Sequence, residues 1–172
     1  MQSKNNMKRK GFTLVELLIV IVVIGILSAM MMLSSTEAVS SAKASNIVSN
    51  LRNLKTAALA LYVDSLDKWE DSANTTGPTI GNVKGYLNNG AGSDYSNYYI
   101  AFDKNTGAFS ERKWYIVYNI GSGSDATRIK QKLYGRAKST GLKGTTEVTA
   151  DGATITAADF EESSASVCTE VR

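Results

Sequence analysis

The sequence predicts an α+β protein in which one long N-terminal helix packs against a small antiparallel β-sheet. Three observations lead to this fold class. No proline or glycine interrupts the chain between Ala29 and Leu66, so a helix that begins near Phe12 meets no breaker there. The second half of this helix carries an apolar stripe at helical spacing. Two later segments are rich in the aromatic and β-branched residues that favour strands.

The N-terminus divides into a basic leader and an apolar run of membrane length. Residues 1–11 are polar and basic and contain no acid, so we expect them to stay on the cytoplasmic side of a membrane. Residues 12–33 are long and apolar enough to cross a bilayer. The alternative to a membrane-spanning segment is an ordinary signal sequence, because Ala42-Lys43-Ala44 matches a small-x-small cleavage site. That site, however, lies well beyond the end of the apolar run.

One acidic residue, Glu16, lies just inside the apolar run. A charged group costs about 2.5–3.5 kcal/mol at the centre of a bilayer and less near its edge, so a carboxylate there needs a compensating partner. If the chain is cut between Gly11 and Phe12, Phe12 gains a free α-amine one helical turn before Glu16. In a helical stack of chains, each Glu16 then meets the amine of a neighbour. We therefore predict that Glu16 and Phe12 form an assembly charge pair.

The string from Lys10 to Leu17, KGFTLVEL, resembles the processing site of type IV pilins and of the related type II secretion pseudopilins. The resemblance covers the N-terminal segment and nothing beyond Leu33. It implies cleavage after Gly11 by a prepilin peptidase, N-methylation of Phe12, and polymerisation of the chain with itself and with other pilins. It also implies a precursor in the cytoplasmic membrane, an inner-membrane assembly machinery, and a final location in an extracellular pilus.

The function that this resemblance implies is that of a structural subunit of a type IV pilus, serving adhesion, twitching motility or DNA uptake. A pseudopilin of a type II secretion system is the alternative. The major pseudopilin of that family has a smaller head with a calcium loop, and neither is evident in this sequence. A membrane-tethered enzyme is disfavoured, because the sequence shows no nucleophile–base pair, metal cluster or phosphate loop. We expect no catalytic residue, no metal and no cofactor.

Composition excludes several kinds of site. Histidine is absent and Cys168 is the single cysteine, which excludes the commonest zinc, Cys-His and Ser-His-Asp arrangements. Cys168 therefore has no partner for an internal disulfide, whereas many Gram-negative pilins close a C-terminal loop with a cysteine pair. The formal charge of +3 is misleading, because four of the 19 basic residues and none of the 16 acidic residues lie in the leader. The remaining chain has a net charge of −1, which does not indicate a general polyanion binder.

The apolar run contains Gly25 and Ala29, whose spacing lets membrane helices approach each other closely. We predict helix packing at these two residues. Gly25 is also a point at which the helix can loosen, although no proline follows before Pro78. Residues 34–66 form the amphipathic half of the same helix. Its apolar stripe is spaced four, three, four and three residues apart, at Ile47, Leu51, Leu54, Ala58 and Leu61.

Residues 67–172 are expected to form a globular α+β head. The segments Tyr98–Phe102 and Lys113–Ile120 predict two strands, and the turn Asp103–Gly107 predicts that they pair antiparallel with one face on the stripe. Before them, 71–92 is rich in turn residues and predicts a long surface loop with a short element at Val83–Leu87.

The C-terminal part of the head has a strong turn signal. Asp151-Gly152 predicts a two-residue hairpin that joins strands at 145–149 and 153–156. The residues after it, 163–172, have the composition of a polar tail.

A second helix is predicted after the glycine-containing segment 121–125, with Asp125 as its N-cap. A nucleotide site is disfavoured because the segment lacks the third glycine and the βαβ unit. The apolar positions of this helix are Ala126, Ile129, Leu133 and Ala137.

The second helix also presents a candidate basic contact face. Arg128, Lys132 and Arg136 recur at every fourth residue and therefore share one face. Contact with another subunit or plain solvation is the favoured interpretation, and DNA phosphates are the less favoured one. A complementary acidic segment occurs later in the chain, at Asp159, Glu161 and Glu162.

Overall fold

The structure is a computed structural model that describes residues 11–65, 77–87, 95–103, 112–146 and 153–171. The chain divides into two compact units, Met1–Val39 and Ser40–Arg172. The described elements, in chain order, are α1 (Leu14–Asp64), α2 (Ile80–Lys84), β1 (Tyr98–Asp103), β2 (Trp114–Asn119), α3 (Ser124–Thr140), β3 (Lys143–Thr145), β4 (Ala153–Ile155), β5 (Ala158–Asp159) and β6 (Ser166–Glu170). The long helix and the small, mainly antiparallel sheet confirm the predicted α+β fold class.

Helix α1 confirms the long helix expected between Phe12 and Leu66, with its ends two residues inside that range. It runs without interruption through Gly25, so the glycine does not break the helix in this structure. Within the second unit its stripe is buried, and each of Ile47, Leu51, Leu54, Ala58 and Leu61 is at most 5% exposed. The period of the stripe therefore identified the buried face of the helix.

The sheet has the strand order β4-β1-β2-β6-β3-β5. Strands β1 and β2 pair antiparallel with Ile100 opposite Ile116, as the sequence predicted. One face of this pair packs on the stripe, because Ile100, Phe102, Trp114 and Ile116 share a buried cluster with the α1 residues. Alternate residues of the same strands point to the opposite face. There Ala101, Tyr115 and Val117 form a second buried cluster with Ile155 and Cys168.

The strand expected at 145–149 falls mostly outside the described residues, so the hairpin around Asp151-Gly152 stays a prediction. Strand β3 pairs with β5 and β6, whereas β4 lies at the other edge of the sheet and runs parallel to β1. The turn residues themselves lie outside the described part of the chain, as does the turn expected at 104–107. A turn signal reports local backbone preference and not which distant strands become neighbours, so the pairing of β4 with β1 could not be predicted from it.

The predicted polar tail at 163–172 is wrong, because it contains β6. This strand pairs with β2 on one side and β3 on the other, so it is an interior strand of the sheet. Val167 belongs to the cluster on α1 and Cys168 to the opposite cluster, and both are fully buried. Beyond the strand, the backbone N–H of Val171 donates to the carbonyl of Trp114 at 2.7 Å. A five-residue strand buried on both faces does not need an apolar run long enough to stand out in the sequence.

Burial also decides the chemistry of Cys168. It raises the pKa of the thiol to about 12, so the thiol is protonated and unreactive near neutral pH. Cys168 is thus a core residue of β6 in this structure and not a reactive group on a loose tail.

Glu170 joins the end of β6 to the strands beside it. The Lys143 ammonium lies 2.7 Å from one carboxylate oxygen, and the Lys113 ammonium lies 3.1 Å from the other. The Lys143 hydrogen bond is the largest cause of a lowered pKa of Glu170, and that of Lys113 adds to it, while burial opposes both. The same contact raises the pKa of Lys143.

We expect Glu170→Gln to lower the free energy of unfolding at pH 7 by about 1 kcal/mol, a modest value because the carboxylate is partly solvated. A lowered folded-state pKa stabilises the protein above the unfolded pKa, near 4.5, and this contribution is lost as the pH falls through the folded value. The thermal unfolding temperatures of the unmodified chain and of Glu170→Gln, measured between pH 7 and pH 3, should therefore converge in acid. The exposed Glu162→Gln is the matched control, and an equal effect of both variants would contradict the assignment.

Helix α3 confirms the second helix, with all four predicted apolar positions buried. The N-cap is Gly123 and not Asp125 as predicted. Gly123 has φ of 112°, which a residue with a side chain rarely adopts, and Asp125 lies in the first turn instead. The short element expected at Val83–Leu87 is α2, which begins three residues earlier and directly follows Thr79.

Candidate processing and assembly site

The N-terminal site is built around the first turn of α1. Gly11, Phe12 and Thr13 precede the helix in non-helical backbone, and the helix begins at Leu14. One Glu16 carboxylate oxygen accepts hydrogen bonds from the backbone N–H and the hydroxyl of Thr13, both at 2.9 Å. The Glu16 backbone N–H in turn donates to the Thr13 hydroxyl at 3.2 Å. These reciprocal bonds form a capping box, in which two N–H groups without helical partners are satisfied.

Thr13 is therefore a site residue that the sequence analysis did not identify. The signal was present, because Thr13-Leu-Val-Glu16 matches the S/T-x-x-E pattern of a capping box. The carboxylate also lies in the first turn of the helix, where the helix dipole favours a negative charge. Glu16 thus has a local structural role in the single chain, in addition to the predicted role between chains.

The apolar residues that follow are exposed. From Phe12 to Met32 the large apolar side chains retain between 47% (Val23) and 89% (Phe12) of their accessible surface. Contiguous apolar surface of this extent marks a protein–protein or membrane contact. Among the described helices, α1 is the one that is long and apolar enough to cross a membrane, a test that a signal sequence near the N-terminus also passes.

Gly25 and Ala29 lie within this exposed segment. A Cβ built at Gly25 meets no atom within 4 Å, so the fold of one chain does not require a glycine there. A close contact between helices of different chains does explain a small residue at this position. The packing role of Gly25 and Ala29 stays a prediction.

The candidate basic contact face is divided in the structure. Arg136 donates to the hydroxyls of Ser45 at 2.6 Å and Ser41 at 3.3 Å, so it links α3 to α1 within the second unit. Arg128 is exposed and Lys132 is partly buried. At the start of α3, Asp125 lies 3.5 Å from Lys43 of α1 in an exposed ion pair. The three basic residues therefore do not act as one free surface, and a role of this face in binding stays a prediction.

The described residues also bear on metal binding. No group of three or more Asp, Glu or Cys side chains in the described ranges is placed to hold a metal ion.

Asp64, at the end of α1, accepts a hydrogen bond from the Tyr86 hydroxyl at 2.5 Å, and this bond is the main cause of a raised pKa of Tyr86.

Comparison with known proteins gives one family match and two related proteins. The family model described as the prokaryotic N-terminal methylation motif matches residues 6–32, which include the string from Lys10 to Leu17. The type IV major pilin protein PilA of Myxococcus xanthus (strain DK1622) is 36% identical over 94 residues, which is 54% of this chain and 42% of the relative. Fimbrial protein Q of Moraxella bovis is 35% identical over 103 residues, which is 59% of this chain and 62% of the relative.

These alignments cover less than two thirds of either relative, and no solved structure matches the chain. The family match and the two relatives nevertheless confirm the resemblance carried by the N-terminal residues. They also support the expectation of a structural subunit over an enzyme.

Proposed function

We propose that this chain, which carries the N-terminal methylation motif and resembles type IV pilins, is the precursor of a type IV pilus subunit. In this proposal a membrane peptidase cuts between Gly11 and Phe12, Phe12 is N-methylated, and the mature chains polymerise through α1. The observation that carries the proposal is an exposed apolar helix segment with a single carboxylate, directly after a glycine–phenylalanine pair.

The geometry around Gly11 suits cleavage. Gly11, Phe12 and Thr13 are exposed and lie outside the helix, so a peptidase can bind this backbone without first unwinding a helical turn. A Cβ built at Gly11 meets no atom within 4 Å, so a small residue there serves recognition and not packing within the chain. Cleavage converts the Phe12 nitrogen from a peptide group into an amine, which is the positive charge that the assembly pair needs.

Assembly follows from the apolar surface of the first unit. Apolar surface kept out of water stabilises by about 25 cal/mol per Å², so once the fibre lies outside the bilayer its stacked α1 segments are held together by more than any surface ion pair supplies. The pairing of Glu16 with a neighbour's Phe12 amine sets the axial register, because an unpaired charge among apolar helices is costly. The precursor then lies in the cytoplasmic membrane with its leader inside, and the polymer extends outside the cell.

The partners in this proposal are other copies of the chain, other pilins, the prepilin peptidase and the assembly machinery of the inner membrane. Adhesion, twitching motility and DNA uptake are the processes that such a fibre serves. A type II secretion pseudopilin remains the alternative, because the N-terminal motif is common to both groups. A deletion strain separates them, since loss of surface fibres supports the pilus and a secretion defect supports the pseudopilin.

The test of the proposal is mass analysis of the mature N-terminus. We expect chains isolated from membranes and from sheared surface fibres to begin at a methylated Phe12. Substitution of Gly11 by a bulky residue is the matched variant and should accumulate the uncut precursor, since no contact within the chain is lost. A chain that remains uncut before Phe12, or that begins after Ala44, would contradict the proposal.

A further inference from the structure

A basic groove lies between α1 and α3 within the second unit. Its volume is about 320 Å³, and it is lined by Ser45, Val48, Ser49, Arg52, Asn53, Arg136 and Thr140. The described lining contains two guanidinium groups, hydroxyls and an amide, and no carboxylate is among these residues. Such a set of donors suits an anion with several acceptor oxygens, because arginine presents its N–H groups in a rigid fork.

Arg136 is held in a fixed position at this groove. Its guanidinium donates to Ser45 and Ser41 on α1, and the Thr140 hydroxyl donates to the Arg136 carbonyl at 2.8 Å. Ser45 in turn donates to the carbonyl of Ser41 at 3.0 Å, so the hydroxyl that receives Arg136 is itself oriented. Two of the five N–H groups of the guanidinium are used in this way, and the others remain for a ligand.

Arg52 is the second cation of the groove. It is exposed, and within the described ranges its side chain makes no hydrogen bond or ion pair. Exposed cations close to one another repel, and an anion placed between them removes that repulsion. Among the residues that the structure describes, no acidic side chain therefore compensates the positive charge of the groove.

The same unit carries the complementary charge on another segment. Residues 144–171 contain six acidic residues and no basic one, whereas α3 contains five basic residues and one acidic residue. Glu162, in the connection between β5 and β6, is exposed, and its carboxylate has no ion pair among the described residues. Basic and acidic surfaces on different elements of one chain are suited to contact between successive copies.

We infer that the groove at Arg52 and Arg136 binds the acidic segment 159–162 of a second copy of this chain. This inference rests on the proposed function, because a contact with one free carboxylate in an open groove is weak. Polymerisation through α1 raises the effective concentration of neighbouring heads and so makes a weak contact effective. A contact between two different patches is heterologous and repeats along an open fibre without closing.

The test is a charge exchange in the full-length chain. Arg52→Glu and Glu162→Arg are each expected to lower fibre yield, measured as sheared fibre relative to total chain, by about fivefold. The double variant Arg52→Glu/Glu162→Arg is expected to restore the yield. Arg136 is left unchanged, because its contacts with α1 would confuse binding with folding. Arg128→Glu is the matched control, since Arg128 is exposed on α3 but does not line the groove.

The outcomes separate this inference from the function on which it depends. Rescue in the double variant, with normal fibres from the Arg128→Glu control, supports the contact. Normal fibres from Arg52→Glu, an equal loss from Arg128→Glu, or no rescue in the double variant would each overturn it while leaving the pilus proposal standing. Absence of fibres from the unmodified chain, with an uncut N-terminus, would overturn both.

A second measurement detects the contact directly. A chain with both Arg52→Cys and Glu162→Cys should form disulfide-linked ladders in fibres under mild oxidation, whereas mixtures of the two single variants should give dimers only. Cys168 does not interfere, because it is buried and its thiol is protonated. Ladders of equal yield from Arg128→Cys paired with Glu162→Cys would show that the linkage is not specific to the groove.

Discussion

Replacing Glu16 with glutamine is expected to lower fibre yield at least about tenfold while leaving membrane insertion intact. A tenfold change corresponds to about 1.4 kcal/mol, which is less than the roughly 2.5–3.5 kcal/mol that an unpaired charge costs inside a bilayer. The glutamine removes the negative charge but keeps an oxygen that accepts the hydrogen bonds from Thr13. Quantified surface fibres at matched expression, together with the membrane fraction of the precursor, measure the two effects.

The capping box makes a control necessary. Glu16 both caps the helix and is proposed to pair with a neighbouring amine, so loss of assembly alone does not identify the cause. Thr13→Ala removes the hydroxyl from the cap and leaves the charge in place, at a cost of about 1 kcal/mol to the helix end. We expect its fibre yield to stay within about twofold of the unmodified chain. A loss as large as that of Glu16→Gln would assign the role of Glu16 to capping.

Replacing Val167 with aspartate is expected to unfold the head. Val167 is fully buried in an interior strand, between β2 and β3 and against the α1 cluster. An unpaired carboxylate at such a position costs about 4 kcal/mol or more, a large part of the roughly 5–15 kcal/mol by which small domains are stable. Protease resistance of the head and its thermal unfolding in detergent measure this loss.

Thr169→Asp is the matched control for Val167→Asp. It introduces the same side chain into the same strand, but Thr169 is only partly buried, so its carboxylate can remain hydrated. We expect this control to remain folded and protease-resistant. If Val167→Asp were equally well folded, the segment would be a polar tail, as its composition first indicated, and not an interior strand.

The elements predicted correctly are those whose signal is periodic and local. The spacing of Ile47, Leu51, Leu54, Ala58 and Leu61 identified the buried face of α1, because side chains three and four residues apart share one side of a helix. The same reasoning located the four buried positions of α3. Strands β1 and β2 were predicted because six-residue runs of aromatic and β-branched residues stand out from their surroundings.

The sequence pointed to Glu16 because an acid in an apolar run needs an explanation, and the resemblance to a pilin processing site pointed to the leader, Gly11 and Phe12. Their roles in cleavage and assembly stay predictions. Thr13 was missed although its capping pattern is present. The groove could not be predicted, because Arg52 and Arg136 are far apart in the sequence and only the packing of α3 on α1 brings them to one cavity.

The sequence by itself determined the long helix, its two chemically different halves and the N-terminal motif, because each depends on residues within a few turns of one another. Tertiary structure alone decided the order of the strands, the central position of β6 and the use of Arg136 as a link between helices. These features depend on which distant segments come into contact. The burial of both faces of the sheet determines those contacts. A short polar-looking strand such as β6 is stabilised by its neighbours and carries little signal of its own.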